Sequence, residues 1–418
     1  MNPVRDLSCM KNILIVADVY PPEISSAANL MAELAEGLKK RGHKVTVLTA
    51  YPRHYLTEES RGKSFEIFSE ENGVRVIRVK ILPHHKVNFI IRGVSQITMP
   101  YIFFRQLKKY AKENFDAAII YSPPLPLALI GGMIKRCYGA KFILNMQDIF
   151  PQNAIDLGVL NRNNWKHRMA IWLFERIEKR VYKEADKITF HSEGGMRFLI
   201  EKKGVLPEKI ATVYNWVDLA PYKDLTKDIS FRKQWNLENK FIFLFAGIMG
   251  PAQELDFLIE AAKRVSDIKN AVFLLVGDGM EKEKIEKTIK DYSLENVITK
   301  PFISKEEYPY LVKDSDVGIV CLSSKNKTPF TPGKFLGYMA AAKPIIAFLN
   351  KESDAFGLVE KSTCGYASVS GNLGKAEEII RKIYKEKNSL EKMGENGFKY
   401  VSENMASDVC LEKLEKLF

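Results

Sequence analysis

Short apolar runs alternate with amphipathic segments along the chain. Residues 12–17 form a short apolar run with the length of a buried strand, and residues 44–49 are predicted to form the next strand. Between them, Leu30, Leu34 and Leu38 repeat at i, i+4 and i+8, which places them on one face of a helix. This order predicts a β-α-β unit, whose parallel strands are joined by a right-handed crossover.

The alternation continues to residue 214 and then starts again. The helix predicted over 165–182 carries Ile171, Phe174, Ile177 and Val181 on one face. Further strands are predicted over 117–121, 141–145, 187–191, 211–214, 241–246, 271–276, 317–321 and 344–348, with a helix over 254–265. The fold class is therefore α/β, with two doubly wound domains, each a mostly parallel sheet with helices on both faces.

The predicted division of the chain has a hinge near residues 215–222. We expect a tail or extended start over 1–9, a first domain over 10–216, a second over 217–398, and a C-terminal helical segment over 399–418 that packs back on the first domain. In open α/β sheets ligands bind at the carboxyl ends of the strands, so we expect the site in a cleft between the domains.

The net charge of +12 is confined to the first half of the chain. Residues 1–217 hold 33 Lys and Arg against 21 Asp and Glu, whereas residues 218–418 hold 30 of each. The two halves are therefore expected to face different partners. The five cysteines are scattered without metal-ligand spacing, which favours neither a disulfide framework nor a zinc site and fits a reducing, cytoplasmic setting.

Two glycine-containing segments in the second half are candidate phosphate sites. Gly247 and Gly250 follow a strand and precede a helix, where backbone N–H groups can approach a phosphate, although a plain tight turn fits equally. Gly333 precedes Lys334, which falls in the first turn of a predicted helix and opposes its dipole. A lysine there is better explained by a bound anion than by solvent exposure alone.

Asp148 is the candidate catalytic carboxylate. It follows an apolar strand directly, where it could position or deprotonate a hydroxyl, or serve only as a turn residue before Pro151.

A basic segment lies between Glu71 and Glu113. It contains nine Lys and Arg and no acidic residue, with aromatic residues interleaved. This composition favours an anionic membrane surface, with nucleic acid or a merely solvated face as alternatives. The basic residues expected at the membrane are Arg92, Arg105, Lys108, Lys109 and Lys112.

In this order the motifs resemble the retaining glycosyltransferases of family four, which have two facing Rossmann-like domains (the GT-B fold). The resemblance covers the chain from Met10. It is carried by Pro21-Pro22-Glu23, Gly42-His43-Lys44-Val45, Asn145 to Pro151, Glu184 to Ile188, Asn215 to Asp218, Gly247 to Gly250, Gly277-Asp278-Gly279 and Gly333 to Pro344. The block around Asp148 looks most like the WbuB-type N-acetyl-fucosamine transferases of bacterial surface-polysaccharide assembly.

The resemblance implies an enzyme that moves a sugar from a nucleotide-sugar, with UDP favoured, to a lipid-linked or glycan acceptor in surface polysaccharide biosynthesis. It implies a second domain that holds the donor and a first domain that holds the acceptor at the cytoplasmic membrane face. No cofactor, metal or nucleic acid is implied. The implied donor-binding residues are Lys334, Gly247, Gly250, Gln253, Gly277, Gly279, Gly333 and Phe330, with Asp148 at the acceptor or reacting sugar.

The chain departs from the family pattern at the donor site. The usual pair of glutamates falls on Pro329 and Gly337, and the usual Arg and Lys after the phosphate turn fall on Ile248 and Gln253. Two alternatives therefore stay open: a non-catalytic nucleotide-sugar-binding subunit and a nucleotide-sugar epimerase of the same architecture.

Overall fold

The computed structural model describes residues 10–23, 25–53, 56, 60, 62–82, 89–156, 158–327, 329 and 331–418, without the side chains of residues 89 and 90. It divides the chain into two compact units. The N-terminal unit comprises the residues up to Tyr214 together with Cys410–Phe418, and the C-terminal unit comprises Asn215–Val409. The tail predicted over residues 1–9 lies outside the described residues.

Eight strands of the described chain form the sheet of the N-terminal unit, in the order β3-β4-β2-β1-β5-β6-β7-β8. All neighbours are parallel except β3, which runs antiparallel to β4 at the edge. The strands are β1 Asn12–Val16, β2 Lys44–Ala50, β3 Phe68–Glu71, β4 Val74–Val79, β5 Ala117–Ser122, β6 Lys141–Met146, β7 Lys187–Phe190 and β8 Ile210–Thr212.

Helices cover both faces of this sheet. They are α1 Ser26–Lys40, α2 Phe89–Tyr110, α3 Leu129–Tyr138, α4 Gln152–Asp156, α5 Trp165–Glu184 and α6 Glu193–Lys203. Every residue from Ile13 to Val16 is inaccessible to solvent, but only alternate ones, Leu14 and Val16, join the core cluster with α2, α3 and α5. None of the buried side chains of α1 belongs to that cluster, so α1 covers the opposite face.

In the C-terminal unit, six strands of the described residues form the sheet, in the order β11-β10-β9-β12-β13-β14, with all neighbours parallel. They are β9 Phe241–Ala246, β10 Ala271–Val276, β11 Val297–Lys300, β12 Val317–Cys321, β13 Ile345–Leu349 and β14 Gly365–Val369. The helices are α7 Ala220–Lys223, α8 Phe231–Gln234, α9 Leu255–Arg264, α10 Lys282–Asp291, α11 Tyr308–Lys313, α12 Lys334–Ala340, α13 Ala355–Ser362, α14 Leu373–Lys385 and α15 Leu390–Asn404. The last helix, α16 Ser407–Glu415, begins in this unit and ends in the N-terminal unit. The prediction of two doubly wound α/β domains is confirmed.

Both sheets reverse their strand order at their first strand. In the N-terminal unit the reversal lies between β1 and β5, and in the C-terminal unit it lies between β9 and β12. A crevice opens at the carboxyl ends of the strands at such a switch point, and ligands of doubly wound proteins bind there.

The end of the chain belongs to the N-terminal unit. The Glu415 carboxylate lies 2.8 Å from Arg41 Nε and 2.9 Å from His43 Nε2, so α16 is bound to the end of α1. Gly37 of α1 faces Leu411, and an added Cβ there would lie 2.4 Å from the Leu411 side chain.

Tyr338 fastens α12 to the first strand of its sheet. Its side chain is fully buried, and its hydroxyl donates to Leu244 O at 2.9 Å and accepts from Ala246 N–H at 3.1 Å. The ring lies over Gly318 of β12, where an added Cβ would come within 2.4 Å of it. The phenol therefore fixes the helix that begins at Lys334 against β9 and β12.

Replacing Tyr338 by Phe keeps the ring but leaves the buried Ala246 N–H without its acceptor. We expect Tyr338→Phe to lower the free energy of unfolding by about 1–3 kcal/mol, measured by urea denaturation. The matched control is Tyr292→Phe, which removes an exposed hydroxyl from the same unit. Equal stabilities of the two variants would show that the Tyr338 hydroxyl does not hold α12.

Candidate functional site

Two glycine turns touch backbone to backbone at the carboxyl ends of β9 and β10. A Cβ added to Gly277 would lie 1.9 Å from Gly247 O, and one added to Gly279 would lie 2.3 Å from Met249 O. The φ angles of Gly247, Gly277 and Gly279 are +136°, +155° and +153°, a region that favours glycine. These glycines are therefore required by the close approach of the two turns.

Hydrogen bonds within the protein use the N–H groups expected to face a phosphate. Gly247 N–H donates to Val276 O and Met249 N–H donates to Asp278 O, both at 2.9 Å. Gly250 N–H donates to Gln253 Oε1 at 3.2 Å. The N–H groups of Gly247, Met249 and Gly250 therefore have partners within the protein in this conformation.

Lys334 lies at the same place, as the first residue of α12. Its Nζ is 4.8 Å from the centroid of the Phe245 ring, and an added Cβ on Gly247 would lie 3.2 Å from Nζ. It forms no hydrogen bond or ion pair with any residue that the structure describes. Burial lowers the pKa of this ammonium to about 8, against a smaller opposing effect of Cys321. A desolvated cation without a protein counter-charge is suited to bind an anion.

The loop after β12 completes this site, and its ties to the turn after β9 were not predicted. Ser323 N–H donates to Ala252 O at 2.8 Å. The Glu254 carboxylate accepts from Ser324 N–H at 2.6 Å and from the Ser324 hydroxyl at 3.2 Å. Glu254 has a φ of +49°, which is uncommon for a residue with a side chain. Its carboxylate is thus committed to holding two loops together.

The position of the second family glutamate is filled by another side chain. An added Cβ on Gly337 would lie 2.7 Å from the Tyr308 ring, so a glutamate does not fit there without moving that ring. In contrast, an added Cβ on Gly333, just before Lys334, would meet nothing within 4 Å. Phe330 lies outside the described residues, and Pro329 is partly buried.

Asp148 lies at the carboxyl edge of the other sheet, and the structure brings Asp18 to the same edge. Asp18 follows β1 and Asp148 follows β6, with β5 between them. Burial raises the pKa of both carboxyls, that of Asp18 to about 7 with a further contribution from Glu23. Burial also raises the pKa of the Tyr121 phenol at the end of β5, and the charges of Asp18 and Asp148 raise it further. The three groups therefore form one cluster.

Sequence reasoning missed Asp18. A polar residue directly after the apolar run of β1 was the available signal, because β1 is the strand at which the order reverses. Two carboxyl groups with raised pKa values can accept a proton or a hydrogen bond from a hydroxyl.

The five basic residues predicted for a membrane are all exposed: Arg92, Arg105, Lys108, Lys109 and Lys112. They lie on α2 or just after it. Arg78 of the basic segment lies in β4 and is buried, so it does not belong to a solvated face. The Arg78 guanidinium turns inward because it donates to the Glu71 carboxylate at 2.6 Å and to Pro21 O at 3.1 Å.

Among the described helices, none has the combination of length and apolar character that a membrane crossing requires. Within the same residues, no group of three or more His, Cys, Asp or Glu side chains could hold a metal ion.

Family models match most of the chain. Residues 27–216 match a model described as "Glycosyl transferase 4-like domain", and residues 227–400 match one described as "Glycosyl transferases group 1". The two matches fall on the two units in turn.

Similar proteins are also glycosyltransferases. The glycosyl transferase WcaI of Escherichia coli K12, whose name assigns it to colanic acid biosynthesis, is 26% identical over 78% of this chain and 81% of its own. The N-acetylgalactosamine-N,N'-diacetylbacillosaminyl-diphospho-undecaprenol 4-alpha-N-acetylgalactosaminyltransferase of Campylobacter jejuni is 27% identical over 52% of this chain and 54% of its own. The structure of HepE from Anabaena in complex with UDP and glucose superimposes with a TM-score of 0.69 at 17% identity, covering 97% of this chain and 98% of that one.

The raised pKa of Asp18 gives a pH-dependent prediction. A carboxyl whose pKa rises from 3.8 to about 7 on folding binds more protons in the folded than in the unfolded state between these values. Stability from this group therefore falls as the pH rises from 4 to 7. Asp18→Asn stays neutral, so its stability advantage over wild type should grow by about 2.5 kcal/mol between pH 5 and pH 8.

Urea unfolding at the two pH values measures this difference. Glu201→Gln, an exposed substitution in the same unit, is the matched control and should show no such growth. An Asp18→Asn advantage that stays constant with pH would show that Asp18 ionises normally.

Proposed function

Because the chain belongs to the glycosyltransferases that join a 4-like domain to a group 1 domain, we propose that it moves a sugar from a nucleotide-sugar to a lipid-linked or glycan acceptor. UDP is the favoured nucleotide and surface polysaccharide biosynthesis the favoured setting. The single observation that carries the donor half is Lys334, a desolvated ammonium at the switch point of the second sheet that has no counter-charge among the described residues.

The proposed donor site uses the geometry around Lys334. The diphosphate lies against the Lys334 ammonium and over Gly333, where the missing Cβ leaves open space. The touching turns at Gly247 and Gly277 keep side chains away from the nucleotide. HepE, whose structure contains UDP and glucose, supports this choice of ligand through its shared fold. Lys334 offsets diphosphate charge without a metal ion.

The proposed acceptor site is the cluster of Asp18, Asp148 and Tyr121. In the retaining course we propose, the bond from the sugar C1 to the diphosphate oxygen breaks, and the acceptor hydroxyl bonds to C1 on the same face. The proton of that hydroxyl passes to the leaving phosphate oxygen. The role of Asp148 in this mechanism is to orient the acceptor hydroxyl. The protein acts mainly through positioning and electrostatic stabilisation. The undecaprenol-linked acceptor in the name of the Campylobacter relative supports a lipid-linked acceptor.

We further propose that the N-terminal unit binds the cytoplasmic membrane surface through Arg92, Arg105, Lys108, Lys109 and Lys112. All five are exposed, and the net positive charge of the chain lies in this half. Each basic residue near an anionic surface contributes about 1 kcal/mol.

Lys334 gives the test of the donor site. Lys334→Met keeps most of the side-chain volume and removes the charge, so transfer from radiolabelled UDP- or GDP-sugar to a polyprenyl-diphosphate acceptor should fall by about 10²-fold or more. Binding of the donor by wild type, measured by calorimetry, should weaken by about tenfold from pH 7 to pH 9, because the ammonium loses its proton around pH 8.

Lys334→Arg is the matched control for this test, because it keeps its charge throughout that range. Its donor binding should not change with pH. Full transfer activity of Lys334→Met would show that Lys334 does not bind the donor. If wild type binds the donor but transfers no sugar, the chain is instead a non-catalytic subunit.

The membrane contact is tested by flotation with vesicles that contain phosphatidylglycerol. Changing Arg105, Lys108, Lys109 and Lys112 to Gln should weaken binding by about 10²- to 10³-fold, because four attractive charges are lost. A control with the same charge change replaces four exposed lysines of the C-terminal unit, Lys233, Lys269, Lys287 and Lys290. Equal binding by both variants would contradict a specific contact through α2.

A further inference from the structure

Helix α5 exposes large apolar side chains on one face. Trp165, Met169 and Trp172 are 65%, 63% and 56% exposed, and they follow one another at i, i+4 and i+7. This spacing places them in one stripe along the first half of the helix. The opposite face is buried through Ile171, Phe174, Ile177 and Val181. The exposed stripe is therefore additional to the apolar face that folding requires.

Basic residues surround this stripe. The Arg176 guanidinium lies 4.4 Å from the centroid of a Trp172 ring, and Lys166 Nζ lies 5.6 Å from that of Trp165. Arg168, Lys179 and Arg180 are also exposed along α5. The acidic residues of the helix are occupied within the protein: Glu175 pairs with Arg162, Glu178 with Lys203, and Glu184 with Arg136 and Arg180. The surface around the two indoles is therefore apolar and cationic.

Helix α5 lies on the same face of the sheet as α2. Both helices join the core cluster on that face, and α3 packs against each of them and lies between them. Both follow a strand and precede the next parallel strand, so each runs antiparallel to the strands. Their first halves therefore lie toward the carboxyl edge of the sheet, which is the edge of Asp18 and Asp148.

Helix α2 also exposes apolar side chains, with Ile91 and Val94 in its first half and Tyr101 just past its midpoint. Ile91, Val94 and Tyr101 are 46%, 50% and 57% exposed and share one stripe of the helix. Exposed apolar side chains of α2 and α5, the helices on either side of α3, thus lie on one face of the N-terminal unit. Monomeric proteins rarely leave such a surface uncovered.

We propose that Trp165, Met169 and Trp172 of α5 insert into the interface of an anionic membrane, so that α5 and α2 together dock the acceptor edge onto the lipid surface. Tryptophan is the side chain most typical of the headgroup region, because its ring is apolar and its N–H is polar. Apolar side chains flanked by Lys and Arg bind anionic lipids through burial and charge together. A protein partner would need acidic groups to match the same surface, which makes it the second occupant to test.

This docking extends the proposed membrane contact from α2 to α5, and it places the cluster of Asp18, Asp148 and Tyr121 beside the headgroups. A sugar linked to a membrane lipid through a diphosphate would then reach Asp18 and Asp148 without leaving the surface. The inference rests on the proposed function only for this consequence, because lipid binding by α5 is measurable without any transfer assay.

Partition into vesicles of phosphatidylcholine with 30% phosphatidylglycerol is the first measurement. The triple variant Trp165→Gln, Met169→Gln and Trp172→Gln should bind at least tenfold more weakly than wild type, with α2 left intact. The matched control replaces three exposed apolar residues of the C-terminal unit, Tyr292, Phe302 and Val369, by Gln. It should bind like wild type. Unchanged partition of the α5 variant would overturn the proposal.

Lipids brominated near the headgroup give the second measurement. They should quench wild-type tryptophan fluorescence, and most of the quenching should disappear in Trp165→Phe with Trp172→Phe, which keeps the surface apolar. Absence of quenching in vesicle-bound wild type would place α5 away from the lipid. If the triple variant binds vesicles like wild type but is a monomer where wild type is an oligomer, the stripe contacts a second copy of the chain instead.

Transfer assays separate this inference from the proposed function. With a water-soluble acceptor the triple variant should react like wild type, and with an acceptor embedded in vesicles it should lose at least tenfold. If wild type transfers no sugar at all, the proposed function fails, while the partition and quenching results still decide the docking of α5.

Discussion

The backbone contact between the turns after β9 and β10 is the constraint on which the candidate donor site depends. Gly277 leaves no room for a side chain beside Gly247 O, and Gly279 leaves none beside Met249 O. Because the turns use one another's backbone groups, they form a closed wall and not an open cradle of N–H donors. Lys334 stands against this wall, and its ammonium is left to meet the anion. In the part of the chain that the structure describes, the proposed donor site thus takes its positive charge from Lys334, whose pKa is lowered by burial.

The two units reverse their strand order in the same way but place groups of opposite charge at the reversal. At the reversal of the C-terminal sheet the structure places a cation, and at that of the N-terminal sheet it places a carboxyl group, Asp18, with Asp148 two strands away. Burial raises the pKa of the two carboxyls and lowers the pKa of the Lys334 ammonium, so it favours the neutral form of all three groups. A site for a diphosphate and a site for a hydroxyl need these two kinds of group, which is the physical reason for assigning donor and acceptor to different units.

Local patterns predicted the elements and the residues at their ends, whereas contacts between distant segments had to come from the structure. The strand that ends before Gly247 and the helix that begins at Lys334 follow from nearby residues alone. The inward turn of Arg78 depends on Glu71 in the neighbouring strand, and the importance of Asp18 depends on the strand order. On α5 the buried positions were predicted correctly from their spacing, but the exposed stripe of Trp165, Met169 and Trp172 requires knowing which face the core leaves uncovered.

In the proposed donor site, Lys334 binds the donor diphosphate beside the touching glycine turns. A crystal structure of the protein with a bound UDP-sugar tests it most directly. We expect a diphosphate oxygen within about 3 Å of Lys334 Nζ, beside Gly333 and outside the closed contact of Gly247 with Gly277. A nucleotide bound away from the carboxyl ends of β9 and β12, or a diphosphate that Lys334 does not reach, would contradict it.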